Sequence, residues 1–240
     1  ACALAVAGLA RARSLASGAA LFAAALWLFN WHAINMAVLW TSGRTALLFT
    51  LAATTGFIAL LRRRALLGVV LLACAMFTKE EGVLLPLILG AWLIADARIR
   101  NRWTEVRANM PALVAVFAAD ALYLLLRARS GALGASTAPD YYQFSFTLGR
   151  LAENIPEYLD RSATFAAAML LLLCVAGRVP FRALRPRDAN TLSTCALGLI
   201  WWVGGFAITM FLPVRSSLYA CFPSVGVTLI AASLASHVWE

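Results

Sequence analysis

Charge is what this 240-residue chain has least of: 13% of its residues are Asp, Glu, Lys or Arg, about half the share usual in a soluble domain. With 62% hydrophobic residues and a mean hydropathy of +0.82, too little polar surface remains to cover a water-soluble globule. Acids are scarcer than bases, 11 against 20, for a net charge of +9. That excess does not point to nucleic acid, because the arginines fall in short clusters between apolar runs rather than on one soluble face. The five cysteines (Cys2, Cys74, Cys174, Cys195, Cys221) form no CxxC and no Cys/His ligand spacing, so free thiols, no metal site and no cofactor are expected. No phosphate-binding glycine loop occurs, which argues against direct use of a nucleotide sugar. There is no internal repeat, and the Gly/Pro signals inside apolar runs (Pro86 and Gly90; Gly204 and Gly205) do not recur in two halves, which weighs against a repeat-built transporter or flippase.

What is present is a succession of apolar runs from Ala1 to Val238, broken by Arg-rich or Gly/Pro-containing turns. The expected fold is therefore all-α, a single polytopic transmembrane helix bundle over residues 1–240. Only nine apolar residues, Ala1 to Leu9, precede Arg11, against the ~20 a crossing needs, so a partial span is expected there. Eight full spans are expected after it: Ser17 to Trp31, Thr45 to Leu61, Ala65 to Phe77, Val83 to Ala95, Pro111 to Leu126, Thr164 to Ala176, Thr191 to Leu212, and Leu218 to Val238.

Alternating these spans gathers four arginine clusters on one side: Arg11 and Arg13; Arg62, Arg63 and Arg64; Arg98, Arg100, Arg102 and Arg107; Arg178, Arg182, Arg185 and Arg187. Cytoplasmic loops carry such an excess, so this side reads as cytoplasmic and the other as the periplasmic face of a bacterial inner membrane. On that other face each short connection carries one cation, Arg44, Lys79 or Arg215, where orientation disfavours it. A bound anion is one reason for such placement. As one helix, Ala65 to Ala95 would run ~46 Å and bury Lys79, Glu80 and Glu81 in hydrocarbon. A hairpin turning at these charges is expected instead, its ~22 Å arms setting the turn in a wet recess below the surface. The long outer loop, residues 127–163, carries Tyr141, Tyr142, Phe144 and Phe146, then Leu148, Leu151, Ile155, Tyr158 and Leu159 at roughly helical spacing. An interfacial helix is expected there, as a lid or as an aromatic-anchored connector.

Three stretches stand out: LFNWHAINMAVLWTSGRTALL (Leu28 to Leu48), FTKEEGVLLP (Phe77 to Pro86) and LPVRSSLYACFPSVG (Leu212 to Gly226). In this order they resemble the GT-C membrane glycosyltransferases that use polyprenyl-phosphate sugars. The likeness is nearest to members related to transmembrane-and-tetratricopeptide-repeat mannosyltransferases; protein O-mannosyltransferases and lipid A aminoarabinose transferases are more distant. Trp40, Ser42, Gly43 and Arg44, then Lys79, Glu80, Gly82 and Pro86, then Arg215, Leu218, Tyr219, Pro223, Ser224 and Gly226 carry it. Departures are Ala46 where Asp is preferred, Ala33 after His32 where Pro is usual, no Glu between His32 and Trp40, and Thr78 for Ser.

The resemblance implies transfer of a sugar from a polyprenyl-phosphate donor to a protein or glycan acceptor on the outer face, with inversion. Arg44, Lys79 and Arg215 would hold the phosphate, whose leaving charge such donors stabilise. Glu80 would be the catalytic-site acid, orienting Lys79, binding sugar hydroxyls or accepting a proton. His32 and Tyr219 are candidates to bind phosphate or sugar, or are interfacial residues, as His237 beside Trp239 is. Asp120, the one acid well inside a span, is either a substrate contact or the partner of Arg127. The acid that activates the acceptor in that family sits in the first outer loop, which would lie upstream of residue 1, so residues 1–240 alone are expected to be inactive.

Overall fold

In hydrocarbon every backbone N–H and C=O must be satisfied internally, so the apolar runs become helices. The computed structural model describes residues 1–41, 43–131, 139–178, 180–186 and 188–236, without the side chains of Tyr141 and Phe181. Ser42, Arg187, His237 and Trp239 thus lie outside the described residues. Within them the α-helices are α1 Cys2–Ala12, α2 Ser17–Phe29, α3 Trp31–Leu39, α4 Arg44–Leu61, α5 Ala65–Thr78, α6 Leu85–Arg100, α7 Trp103–Arg129, α8 Leu148–Ala176, α9 Ala189–Phe206 and α10 Pro223–Ser236. No strand occurs among the described residues.

The expected eight spans are too many. Among the described residues four helical segments are long and apolar enough to cross a membrane: Arg44–Leu61, Glu80–Arg100, Trp103–Arg129 and Leu148–Ala176; α2 with α3 makes a fifth only if the pair is one broken span. The reason is length. α5 and α10 have 14 residues each, ~21 Å of helix against a ~30 Å core. The expected span ending at Trp31 instead bends by 61° between α2 and α3. Asn30 sits at that bend with ψ of 70°, and its buried amide donates to Ser162 O (3.2 Å). The outer loop is also shorter than expected, because the segment read as a separate interfacial helix is the first part of the 29-residue α8, continuous through Pro156.

The bundle has two polar ends. At the arginine-rich end Arg63 grips Glu105 through two bonds (2.8 and 2.7 Å), and Arg13 reaches Asp96 (3.2 Å) and Ser193 (2.7 Å). These contacts bring α6 back to where α5 began, so the chain does reverse at Lys79 to Leu84. Between the ends lies a core in which Phe57 and Phe222 both stack on Trp201, each at 4.7 Å. α7 and α8 flank this core and turn Leu122, Leu125, Leu126, Leu171, Leu172 and Val175 outward. An apolar surface of that extent suits lipid, not water.

α9 and α10 meet at Gly198 and Gly226, where a Cβ on either glycine would lie within 2.5 Å of the other's carbonyl oxygen. Small residues let helices in lipid approach this closely. Gly226→Val should therefore lower stability by about 1–3 kcal/mol through overpacking. Gly149→Ala, whose added methyl meets nothing within 4 Å, should leave the thermal midpoint in detergent unchanged or raised.

Candidate functional site

Lys79 ends α5 in an extended conformation (φ −155°, ψ 143°), and a 3-10 turn, Glu80–Leu84, follows. The turn folds tightly onto α5: a Cβ on Gly82 would lie 2.5 Å from Met76 Cα, so only glycine permits this approach. The consequence is that Glu81 points inward and Glu80 outward. One residue of 3-10 turn rotates the side chain by about a third of a circle, so Glu80 is exposed where Glu81 is buried. Glu81 is 5% exposed and its Oε1 accepts from Lys79 Nζ; Glu81 Oε2 is buried without a partner. Lys79 Nζ also lies 5.0 Å from the centre of the Tyr219 ring, in cation–π range.

Tyr219 belongs to the third stretch, whose backbone leaves the α-helical path between α9 and α10. Arg215 donates from Nε to Asn154 Oδ1 and from Nη2 to Glu153 Oε2, both at 2.8 Å. Ser217 Oγ accepts from Arg161 (3.3 Å), and Ser216 Oγ contacts Met36 Sδ (3.8 Å). Burial, and next the neighbouring Glu81 carboxylate, push the Tyr219 phenol well above its ordinary range. It is thus a neutral hydroxyl, able to donate, at any physiological pH.

The first stretch joins the same end of the bundle through Gly43, where a Cβ would lie 2.9 Å from Leu218 Cδ2 and 2.3 Å from Met36 O. Arg44, the first residue of α4, is exposed and makes no ion pair among the described residues. Residues from all three stretches, up to 180 positions apart, are thus gathered at the end opposite the arginine clusters.

Two expected residues stand apart from this cluster. His32 faces α8, its Nδ1 3.4 Å from Asp160 Oδ2 with both side chains about half exposed. Asp120 is buried in α7 with Oδ1 unpartnered, while Arg127 donates to Tyr123 Oη (2.8 Å). α8 supplies two residues the sequence reading did not single out, Asn154 and Arg161. With Tyr158, expected there as part of an interfacial helix, they recur at spacings of four and three on one helix face, and that period was the available signal. Asn154, fully buried, donates to Met210 O (2.8 Å) and Leu212 O (2.9 Å) while accepting from Arg215.

The cations here have carboxylates beside them: Lys79 has Glu81, Arg215 has Glu153, and Arg161 has Glu157 at 3.4 Å. Arg44 is the cation of the cluster without one. No group of three or more His, Cys, Asp or Glu among the described residues is placed to hold a metal ion. Comparison with protein-family models, curated proteins and solved structures finds no match to this chain.

Two outcomes follow from these bonds. Lys79→Met alone should destabilise the protein by about 3–5 kcal/mol by stranding the Glu81 charge. Lys79→Met with Glu81→Leu should cost less than either single change, as measured by thermal unfolding in detergent. Asn154→Leu should cost about 1–3 kcal/mol for each carbonyl it leaves unpaired, and it should expose the 207–222 segment to proteolysis before the rest of the chain.

Proposed function

We propose that this protein is a membrane glycosyltransferase that takes its sugar from a polyprenyl-phosphate donor at the end of the bundle holding Arg44, Lys79 and Tyr219. The observation that carries the reading is the convergence of the three stretches, with Lys79 lying over Tyr219 and Gly43 packed on Leu218. A polyprenyl-phosphate sugar keeps its tail in the bilayer and its phosphate at the surface, so its site needs donors at the ends of spans. Arg44 offers a guanidinium with no internal carboxylate to satisfy it, and Tyr219 a hydroxyl held neutral. Glu81 Oε2, buried and unpartnered among the described residues, is an acceptor for a sugar hydroxyl on the carboxylate that already binds Lys79. Arg215 shapes the site by holding its loop to α8, and Glu80 remains available at the rim.

A noncatalytic scaffold is the second reading, favoured by the carboxylate that already faces each of Lys79, Arg161 and Arg215. Binding separates the two. In nanodiscs, a short-chain polyprenyl-phosphate sugar should bind the native chain saturably, and Arg44→Gln, which breaks no internal bond, should weaken binding at least about tenfold, ~1.4 kcal/mol. Tyr219→Phe should weaken it too, and uncharged polyprenol should not compete. Equal affinity for native protein and both variants would remove these residues from the site and favour the scaffold.

A further inference from the structure

At the arginine-rich end a cavity of about 210 Å³ opens between the end of α1, the α4–α5 turn, α6 and the start of α7. One wall is apolar, formed by Leu60, Leu89 and Leu93. The other carries Arg13, Arg63, Arg100 and Arg102 against Asp96 and Glu105, an excess of two positive charges. The two carboxylates are already engaged. Asp96 accepts from Ser193, Arg13 and Arg100 (3.4 Å), and Glu105 accepts both bonds of Arg63.

Donors, by contrast, are left over. Arg13, with its side chain only 4% exposed, has a buried Nε–H without a partner, and so does the indole N–H of Trp92. The Arg13 guanidinium lies 5.3 Å from the centre of the Trp92 ring, so the two orphaned donors belong to side chains in contact, and both line the cavity. A buried donor without an acceptor is costly, so two of them beside a cavity with excess positive charge favour an anion that a small shift of either side chain brings within reach. Arg102, exposed at the rim, adds a further charge.

We infer that this cavity is an anion site that takes a phosphate group, with the headgroup phosphate of an anionic membrane lipid as its source. Tetrahedral phosphate presents oxygens to donors arriving from different directions, and guanidiniums bind it with particular strength. The volume admits a phosphate and its first attached carbons but no acyl chain, which would extend outside the cavity. Basic pockets between membrane helices on the arginine-rich side bind lipid headgroups in this way. The site lies at the opposite end from Arg44, Lys79 and Tyr219, so the donor-binding variants leave it untouched.

The test uses the full chain in mild detergent, titrated with short-chain phosphatidylglycerol, phosphatidylcholine or inorganic phosphate while the thermal midpoint is followed. Phosphatidylglycerol should raise the midpoint saturably, and phosphatidylcholine should not. Trp92→Phe deletes one unpartnered N–H while keeping an aromatic ring, and Arg102→Gln changes an exposed side chain; each should weaken the apparent affinity at least about fivefold. Arg182→Gln, an exposed arginine outside the cavity, should leave it unchanged. A midpoint moved by inorganic phosphate but not by phosphatidylglycerol keeps the anion site and overturns the lipid as its source. Equal responses to both lipids, or equal affinities in the native chain, Trp92→Phe and Arg102→Gln, overturn the site.

Discussion

Backbone that leaves the helix inside an apolar bundle must find its hydrogen bonds in side chains, and here that constraint fixes the segment 207–222. Its carbonyls are claimed from three sides: Asn154 of α8 takes Met210 O and Leu212 O, Trp27 of α2 takes Cys221 O (3.1 Å), and Trp201 of α9 takes Phe222 O (3.0 Å). Ser145 N adds a bond to Phe211 O (2.8 Å). Because water cannot substitute for these donors in hydrocarbon, the loop has one path, and the positions of Arg215, Ser217 and Tyr219 follow from it. The aromatic core serves the same end. Phe49 and Trp201 both stack on Phe222, so the residue that restarts the helix is pinned by rings as well as by its carbonyl.

The two ends of the bundle solve the problem of buried charge differently. At the end that gathers the three stretches, the buried pair is local, Lys79 with Glu81 two residues on, while the exposed Glu153 is shared by Arg150 and Arg215. At the arginine-rich end one carboxylate, Asp96, is shared by Arg13 from α1, Arg100 one turn along α6, and Ser193 from α9. Local matching lets a turn carry charge without reference to the rest of the fold. Sharing instead ties three helices to one oxygen and leaves cations in excess. Unpartnered donors occur at both ends, Arg13 Nε and the Trp92 indole beside the cavity and Arg150 Nε and Arg161 Nε on α8, while the unpartnered atom beside Lys79 is an acceptor.

Helical class and the main breaks were legible because they are written in composition. Arg62, Arg63 and Arg64 end α4, and the charges at Lys79 to Glu81 end α5, since neither run can continue a span. Span number was not legible, because an apolar run of 14 residues reads as half-buried helix or short crossing with equal justice, and only packing decides. The bend at Asn30 depends on a carbonyl 132 residues away, Ser162 O, and no local pattern could reveal it. Proline ordinarily interrupts a helix, yet α8 passes through Pro156. The proline removes one backbone bond, while Asn154 and Tyr158 on either side are fully buried and anchor the turn from outside. Which of Glu80 and Glu81 lies buried depends on whether the residues after Lys79 are α or 3-10, and the close approach of Gly82 to Met76 goes with the 3-10 turn.

The pairing of Lys79 with Glu81 bears on how a phosphate site of the proposed kind would work. A bare ammonium there would bind any passing anion, whereas a paired one is satisfied by its carboxylate until a stronger partner arrives. A phosphate drawing Lys79 toward itself would leave both oxygens of Glu81 open to a hydroxyl donor. Sugar hydroxyls are such donors. Binding of the phosphate and of the sugar would then favour one another through a single ion pair that lies over the Tyr219 ring. Arg44, exposed and without an ion pair among the described residues, would complement this arrangement, because a charge without an internal rival can attract the donor before the inner pair has to rearrange.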